Sequence, residues 1–346
     1  MVRTKLYLFM LLVIFTAQAC TQSPNNNVAE ADSLQKVTPE TFIRAETDNM
    51  FSTDADKTTI NEFVHYRSLT PLDRQNVIRM NRDVLYSSVL VDTKGGATIT
   101  IPEMPDDRYM STLVVDNDHY VPTIIHESGT HPIPDDTRYV IILLRIQVLN
   151  PNDPEEIKMI NNLQDQFRIN ASSSEPFPGF HWDRASLDSL RDIYNAEFAK
   201  YDRFPSDWAG ARGEVNEETR HLAAAGGWGL FPEKEAIYIN YNGGNLSGDK
   251  CYMATYEVPD NEGFWSITVY GEDGKMKSEN MIQNASNTTF NEDGTFTVYF
   301  GSEENCPEAE NRLDITDGWN FLMRVYLPGE SVRNGTYQLP EVTEVK

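Results

Sequence analysis

The sequence predicts an α+β protein that is mostly β: an N-terminal β-rich domain, central helices, and a C-terminal antiparallel jelly-roll-like sandwich. Three observations predict it. Short runs of β-branched and aromatic residues, bounded by Gly, Asp, Asn and Pro, fill residues 84–149 and return over 236–326. Helical apolar spacing is confined to the start of the chain and to residues 151–225. Neither β-rich half alternates strands with helices, which disfavours an open parallel sheet. A chain of 346 residues, 40% hydrophobic and 11% aromatic, holds enough apolar side chains for a sizeable core.

Residues 1–19 have the order of a secretory signal. Arg3 and Lys5 precede the unbroken apolar run Leu6 to Phe15, and Ala17 and Ala19 follow. The run is too short to span a bilayer, which takes about 20 apolar residues. Cys20 directly after the small residues resembles a bacterial lipobox, in which that cysteine is lipidated and becomes the first mature residue. The expected location is therefore the bacterial cell envelope, facing the periplasm, with residues 20–37 as a polar, lipid-anchored tether.

The first domain is expected over residues 38–150. Thr38-Pro39 reads as a helix cap and first turn, with Phe42, Ile43, Ala45, Met50 and Phe51 on one face. Strands follow at Val84–Tyr86, Val89–Val91 and Ala97–Ile101, with Asp92-Thr93-Lys94-Gly95-Gly96 as a hairpin-like turn. Tyr109–Val115 and Tyr139–Leu149 are further strands. Residues 151–225 are expected to be helical. Asp153 caps a helix opened by Pro154, Ser186 starts a second, and a shorter one runs from Asn216 to Ala225. Residues 226–346 return to strands at Ala236–Tyr241, Tyr252–Val258, Phe264–Tyr270, Thr295–Phe300 and Phe321–Tyr326. Asn242-Gly243-Gly244, Glu272-Asp273-Gly274 and Glu292-Asp293-Gly294 read as hairpin turns.

Charge and cysteines narrow the partners. A formal charge of −24 repels phosphate backbones, so no nucleic-acid partner is expected, and membrane attachment would rest on the lipid at Cys20. The remaining cysteines, Cys251 and Cys306, form a natural disulfide pair in an exported protein. A small-molecule ligand and association with further copies of the chain are the other expected partners. No cofactor is indicated.

The strand motifs form a recognisable set. They are Asn81-Arg82-Asp83-Val84-Leu85-Tyr86, Val114-Val115-Asp116-Asn117-Asp118-His119-Tyr120, Gly226-Gly227-Trp228-Gly229, Pro232-Glu233-Lys234-Glu235-Ala236-Ile237-Tyr238, Gly263-Phe264-Trp265-Ser266-Ile267-Thr268-Val269-Tyr270, and Gly318-Trp319-Asn320 ahead of Arg324-Val325-Tyr326-Leu327-Pro328. In this order they resemble the bacterial domain-of-unknown-function families 1254, in the N-terminal half, and 1214, in the C-terminal half. The resemblance implies a two-part β-rich protein with a jelly-roll-like C-terminal domain, and no settled activity. The short glycine-rich turn at Tyr241–Asp249 departs from the pattern.

Three groups of residues carry potential chemistry. Asp116, Asp118, His119, His126, Glu127 and His131 are metal-ligand types, yet their spacing fits no tight motif and alternation along a strand would separate them, so no metal is assigned. His119 and Tyr120 could line a cleft at this strand end. Asn81-Arg82-Asp83 with Tyr86 reads either as an ion pair fixing a strand or as a contact to a substrate carboxylate or hydroxyl. Tyr238, Trp265 and Arg324 read either as core or as an aromatic pocket wall. There is no G-x-S-x-G elbow, no dinucleotide fingerprint and no phosphate-binding loop.

Three functions are compatible with these residues. The first is binding of a small polar molecule in a cleft between the halves, with Tyr86, Tyr120, Tyr238, Trp265 and Arg324 at the ligand. The second is hydrolysis in that cleft, with His119 as general base oriented by Asp116. The third is a structural or assembly role in the envelope.

Overall fold

The computed structural model describes residues 34–75, 78–151, 153–201, 203–243 and 246–346. The signal, Cys20 and most of the tether lie outside these residues, as does Gly244 of one expected turn.

The chain opens with α1 (Phe42–Ala55), β1 (Val64–His65), β2 (Val84–Asp92), β3 (Ala97–Ile101), β4 (Met110–Asp116), β5 (Thr123–Ile125), β6 (Gly129–Ile133) and β7 (Tyr139–Gln147). The middle holds α2 (Pro154–Gln164), β8 (Arg168–Ala171), α3 (Arg184–Phe198) and α4 (His221–Gly226). Then come β9 (Ala236–Asn242), β10 (Tyr252–Tyr256), β11 (Trp265–Tyr270), β12 (Ile282–Asn284), β13 (Phe296–Phe300), β14 (Arg312–Leu313), β15 (Asn320–Tyr326), α5 (Glu330–Arg333) and β16 (Thr343–Glu344).

Local chemistry sets the helix starts. Asp153 accepts from the Glu155 amide at 2.9 Å, with Pro154 in the first turn of α2. Asp183 accepts from the Ser186 amide at 2.9 Å, so α3 begins at Arg184, two residues before the expected Ser186. The first helix also begins later than expected. Residues 38–41 close a turn through Thr41 N–H to Thr38 O at 3.1 Å, and α1 starts at Phe42.

The N-terminal half is built on a five-stranded antiparallel sheet in the order β1-β2-β7-β4-β5. Its central strands are apolar on both faces, as a sheet covered on both sides requires. One face carries Leu85, Val89, Val91, Val114, Ile142, Leu144 and Ile146. It packs on the three-stranded sheet β6-β3-β8 and on Ile160 and Leu163 of α2. The other face carries Val84, Leu90, Leu113, Val115, Ile141 and Leu143. It packs on Phe51 of α1, on Phe231, and on Phe264 and Tyr326 of the C-terminal half.

The C-terminal half is a sandwich of two four-stranded sheets, β12-β11-β15-β9 and β14-β13-β10-β16. Pairing is antiparallel except for β13 with β14. Alternation along β9, β11 and β15 gives each two faces. Ile267, Val269, Phe321, Met323 and Val325 enter the sandwich core, where they meet Tyr256, Phe296, Val298 and Phe300. Ser266, Arg324, Tyr326 and Tyr238 lie on the face toward the N-terminal half. Trp265 is 1% exposed and stacks on Phe296 at 4.2 Å, so it belongs to the core and lines no pocket, contrary to one reading of the sequence. Cys251 and Cys306 form a disulfide with Cα atoms 5.3 Å apart.

Three of the four expected hairpin turns do not join paired strands. The Thr93–Gly96 turn forms, closed by Gly96 N–H to Thr93 O at 2.9 Å, with Gly95 and Gly96 at φ +81° and +94°. It carries the chain from β2 in one sheet to β3 in another rather than between paired strands. The segment after β9 does the same, because β9 pairs with β15 whereas β10 pairs with β13 and β16. The turn at Glu292-Asp293-Gly294 lies between β12 and β13, which do not pair, and of the four only the turn at Glu272-Asp273-Gly274 lies between strands that pair, β11 and β12.

Candidate functional site

The two β halves meet around an arginine. Strand β7 reads YVIILLRIQ, and Arg145 is the charged residue within it. Period-two alternation puts Arg145 on the face that looks at the C-terminal half, between Tyr86 of β2 and Ser111 of β4, its partners in register. Its guanidinium carbon lies 5.5 Å from the Tyr86 ring centroid and 4.0 Å from that of Phe231. The hydroxyls of Tyr86, Tyr238, Tyr326 and Tyr109 are its electrostatic neighbours.

No carboxylate of the described residues pairs with Arg145. Its Nε is buried without a partner, and Nη1 and Nη2 make no hydrogen bond to any described residue. Arginine stays charged throughout the accessible pH range, so the structure holds a positive charge between two sheets with no acid against it. Other deeply set arginines are matched. Arg108 meets Glu156 at 2.6 Å, Arg191 meets Glu46 at 2.5 Å, and Arg220 meets Glu217 at 2.7 Å.

The tyrosines around Arg145 carry neutral hydroxyls, which donate and accept. Burial pushes the Tyr86, Tyr109 and Tyr326 hydroxyls above the ordinary phenol range. Tyr326 accepts from Asn81 Nδ2 at 2.7 Å. The hydroxyls of Tyr109 and Ser111 are buried beside each other and meet no other hydrogen-bonding group of the described residues. Tyr86, Leu143, Arg145 and Tyr238 each keep part of their surface accessible, although they stand between packed sheets. A surface hollow of about 420 Å³, including its open mouth, shares Phe231 and Tyr238 with this cluster. Arg203, Phe204, Leu230 and Glu233 form part of its rim.

Arg324 stands behind this wall rather than at its surface. It is 3% exposed and donates from Nη1 to Thr268 Oγ1 at 2.9 Å, and from Nη2 to the Tyr270 hydroxyl at 2.7 Å and to the Arg79 carbonyl at 2.9 Å. Asp83 lies near it, fully buried, accepting from Ser266 Oγ at 2.6 Å; burial raises the Asp83 carboxyl despite the opposing effect of Arg324. The reading of Arg324 as a ligand contact is therefore corrected, since its two terminal nitrogens are already engaged.

The His119–Asp116 pair is corrected as well. Asp116 Oδ1 accepts from the Asp118 amide at 2.9 Å and the Tyr120 amide at 2.8 Å, closing the turn after β4. His119 sits in that turn at φ +62° with its ring directed elsewhere. Its Nε2 accepts from the Gly229 amide at 3.2 Å, its ring lies 5.6 Å from that of Trp228, and Nδ1 has no partner. Burial, aided by Arg220, pulls the His119 pKa down to about 3. A neutral imidazole whose Nε2 is held by a backbone amide and whose Nδ1 meets no carboxylate is not an oriented general base.

Tyr120 is also removed from the cluster. Its ring lies between the guanidinium groups of Arg212 and Arg220, each 4.1 Å away, and its hydroxyl donates to Glu217 at 2.6 Å. The other acid and histidine candidates are dispersed. Asp118 pairs with Arg44 and Arg212, His126 with Glu235 at 2.8 Å, and His131 Nε2 bonds the Glu127 carbonyl at 3.1 Å. Among the described residues no three His, Cys, Asp or Glu side chains are grouped to hold a metal ion.

A second hollow, about 550 Å³ including its mouth, does join the halves and is lined by Arg82, Glu279, Asn280, Asn284 and Asn287. It lacks an unmatched charge, because Arg82 pairs with Glu279. The sequence singled out Tyr86 and Tyr238, which the structure brings beside Arg145 and Tyr109, two residues the sequence reading did not single out. A signal for Arg145 was present: a charged residue inside nine residues of otherwise apolar and polar-neutral strand needs a special reason to be there.

These features define a class: a two-part, β-rich protein with a polar cluster where a five-stranded sheet faces a β-sandwich. Residues 60–121 match the family model DUF1254 and residues 235–330 match DUF1214, each described as a protein family of unknown function. The motif resemblance is thus borne out in both halves. Tyr86 and Tyr109 lie in the first match and Tyr238 and Tyr326 in the second, whereas Arg145 falls between them. No curated protein matches the chain. The VPA0106 protein of Vibrio parahaemolyticus shares the fold at a TM-score of 0.68 and 18% identity, over 88% of this chain and 97% of that one. An uncharacterised protein from Burkholderia cenocepacia aligns at a TM-score of 0.46 and 14% identity, over 94% of this chain and 91% of that one.

Proposed function

We propose that the chain binds a small polar molecule where its two β halves meet, at the cluster of Arg145, Tyr86, Tyr109 and Tyr238, beside the hollow that Phe231 and Tyr238 help to line. One observation carries this reading: Arg145 holds a charge between two sheets with no acid of the described residues beside it. Burying an unpaired charge is costly, so a site of this kind is stable when something else supplies the counter-group. The partly accessible hydroxyls of Tyr86 and Tyr238 support the reading, since neither has a partner within the described residues. Thermal shift of the purified protein against a library of small organic acids, sugars and amino acids tests it. A hit is expected, and its shift is expected to vanish in Arg145→Met. A library without a hit, or hits that the variant binds as tightly as the parent, overturns it.

The same proposal places the protein outside the cytoplasm, lipid-anchored through Cys20. Arg3, Lys5, the Leu6–Phe15 run and Cys20 support this, and so does the Cys251–Cys306 disulfide, a bond favoured in oxidising compartments. Labelling with a tagged fatty acid in a bacterial host is expected to mark the parent and to leave Cys20→Ser unmarked. Equal labelling of the two rejects the anchor.

A further inference from the structure

We infer that the group held at Arg145 is a carboxylate, carried by a compact organic acid with an apolar or aromatic body; this rests on the reading of the Arg145 cluster as a ligand site. The cluster next to the hollow, which shares Phe231 and Tyr238 with it, carries one fixed positive charge and neutral hydroxyls. Arg145 offers two terminal nitrogens, and burial keeps the surrounding phenols protonated. A carboxylate is an acceptor with two oxygens in the plane that a guanidinium fork matches, and it can take further bonds from hydroxyls. A sugar would leave the Arg145 charge unbalanced, and an amine or other cation would meet a like charge.

One charge is the appropriate number. Arg324 is close, but its two terminal nitrogens are engaged by Thr268, Tyr270 and the Arg79 carbonyl, and Asp83 lies beside it. Arg145 is therefore left to balance one negative charge, which fits a monocarboxylate better than a phosphate dianion. The body of the ligand is set by the walls. The Phe231 ring lies against the guanidinium at 4.0 Å, and the rings of Tyr86 and Tyr238 and the side chain of Leu143 complete an apolar surround. A planar or aliphatic body stacks there while its acid end reaches inward.

The test compares matched pairs by calorimetry on the full folded protein: benzoate with benzamide, phenylacetate with phenylacetamide, and inorganic phosphate alone. Each acid is expected to bind at least tenfold more tightly than its amide, and phosphate to bind more weakly than the acids. Arg145→Met is expected to abolish the preference for acids, and Arg145→Lys to retain part of it. Tyr238→Phe, which removes one hydroxyl and leaves Arg145 in place, is expected to weaken the acids several-fold. Acids and amides binding equally in the parent would overturn the carboxylate assignment while the ligand site itself stands. So would an acid preference that survives in Arg145→Met. A parent that binds neither these acids nor any member of the wider library loses both the assignment and the site.

Discussion

Tyr86 and Arg145 are direct cross-strand partners on β2 and β7, and the guanidinium carbon stands 5.5 Å from the Tyr86 ring centroid. The tyrosine shields one side of the charge from the apolar core, as a cation over an aromatic face does. It supplies no countercharge. The pair is thus stable enough to persist and still unbalanced, which is the condition expected of a residue kept for a ligand.

The first prediction follows from that imbalance. Replacing Arg145 by methionine removes an unpaired charge and keeps most of the volume. The unliganded protein is expected to become more stable by about 1 to 3 kcal/mol, in the manner of buried ionic groups replaced by apolar ones. Urea unfolding of parent and variant measures this. A variant destabilised by a similar amount would mean that Arg145 is already compensated in the free protein.

Asp116 is expected to matter for folding and not for binding. Its carboxylate satisfies the amides of Asp118 and Tyr120 in a turn that holds His119 at φ +62°. Asp116→Ala leaves two backbone donors without partners, at about 1 to 3 kcal/mol each. A drop of about 2 to 6 kcal/mol in unfolding free energy, with ligand affinity kept, is the expected outcome. Lost affinity in a variant that folds as well as the parent would return Asp116 to the site.

The third prediction concerns acid. The folded pKa of His119 lies near 3 and the ordinary value is 6.5, so the unfolded chain takes up a proton that the folded one refuses. The sign is therefore that of a depressed group. Its contribution is fully present above about pH 6.5 and is lost as pH falls toward 3, by up to about 1.4 kcal/mol per pH unit. His126 acts the other way: burial opposes its charge but the Glu235 contact prevails and raises its pKa, so it favours folding as acid is added. Comparing parent with His119→Phe between pH 7 and pH 4.5 separates the two. The variant should lose one proton's worth of acid sensitivity, and an unchanged slope would contradict the buried neutral imidazole.

The disulfide gives the fourth. Cys251 and Cys306 are 55 residues apart, and the chain-entropy model assigns about 4 kcal/mol to closing a loop of that size. The double variant Cys251→Ala, Cys306→Ala is expected to lose stability of that order and to keep the sandwich. Full stability in the variant would show that the bond does not restrict the unfolded chain.

The strands were legible because their cause is local. Ala97–Ile101 alternates, and β4, β7, β9, β11 and β15 are dense in β-branched and aromatic residues. Which strands pair was not legible. The glycines at 95 and 96 specify a reversal of direction, and a reversal serves equally to join two paired strands or to step between layers. Tyr86 and Tyr238 were reachable as polar aromatics in strand motifs. Arg145 was hidden because its meaning depends on a missing partner, and only the positions of all the acids around it reveal that none is there. His119 and Asp116 misled for the opposite reason. Adjacent acid and imidazole look like a working pair in sequence, but the turn that joins them aims the side chains apart.

At the far margin of the sandwich, Tyr252 and Met253 of β10 pair with Glu344 and Thr343 of β16, and the Val345 amide donates to the Cys251 carbonyl at 2.9 Å. Those few residues act as a guard rail over main-chain groups that would otherwise solicit a foreign strand. A chain clipped before Thr343 would keep its interior and acquire an adhesive flank, so proteolytic trimming there would first announce itself as clumping rather than as unfolding.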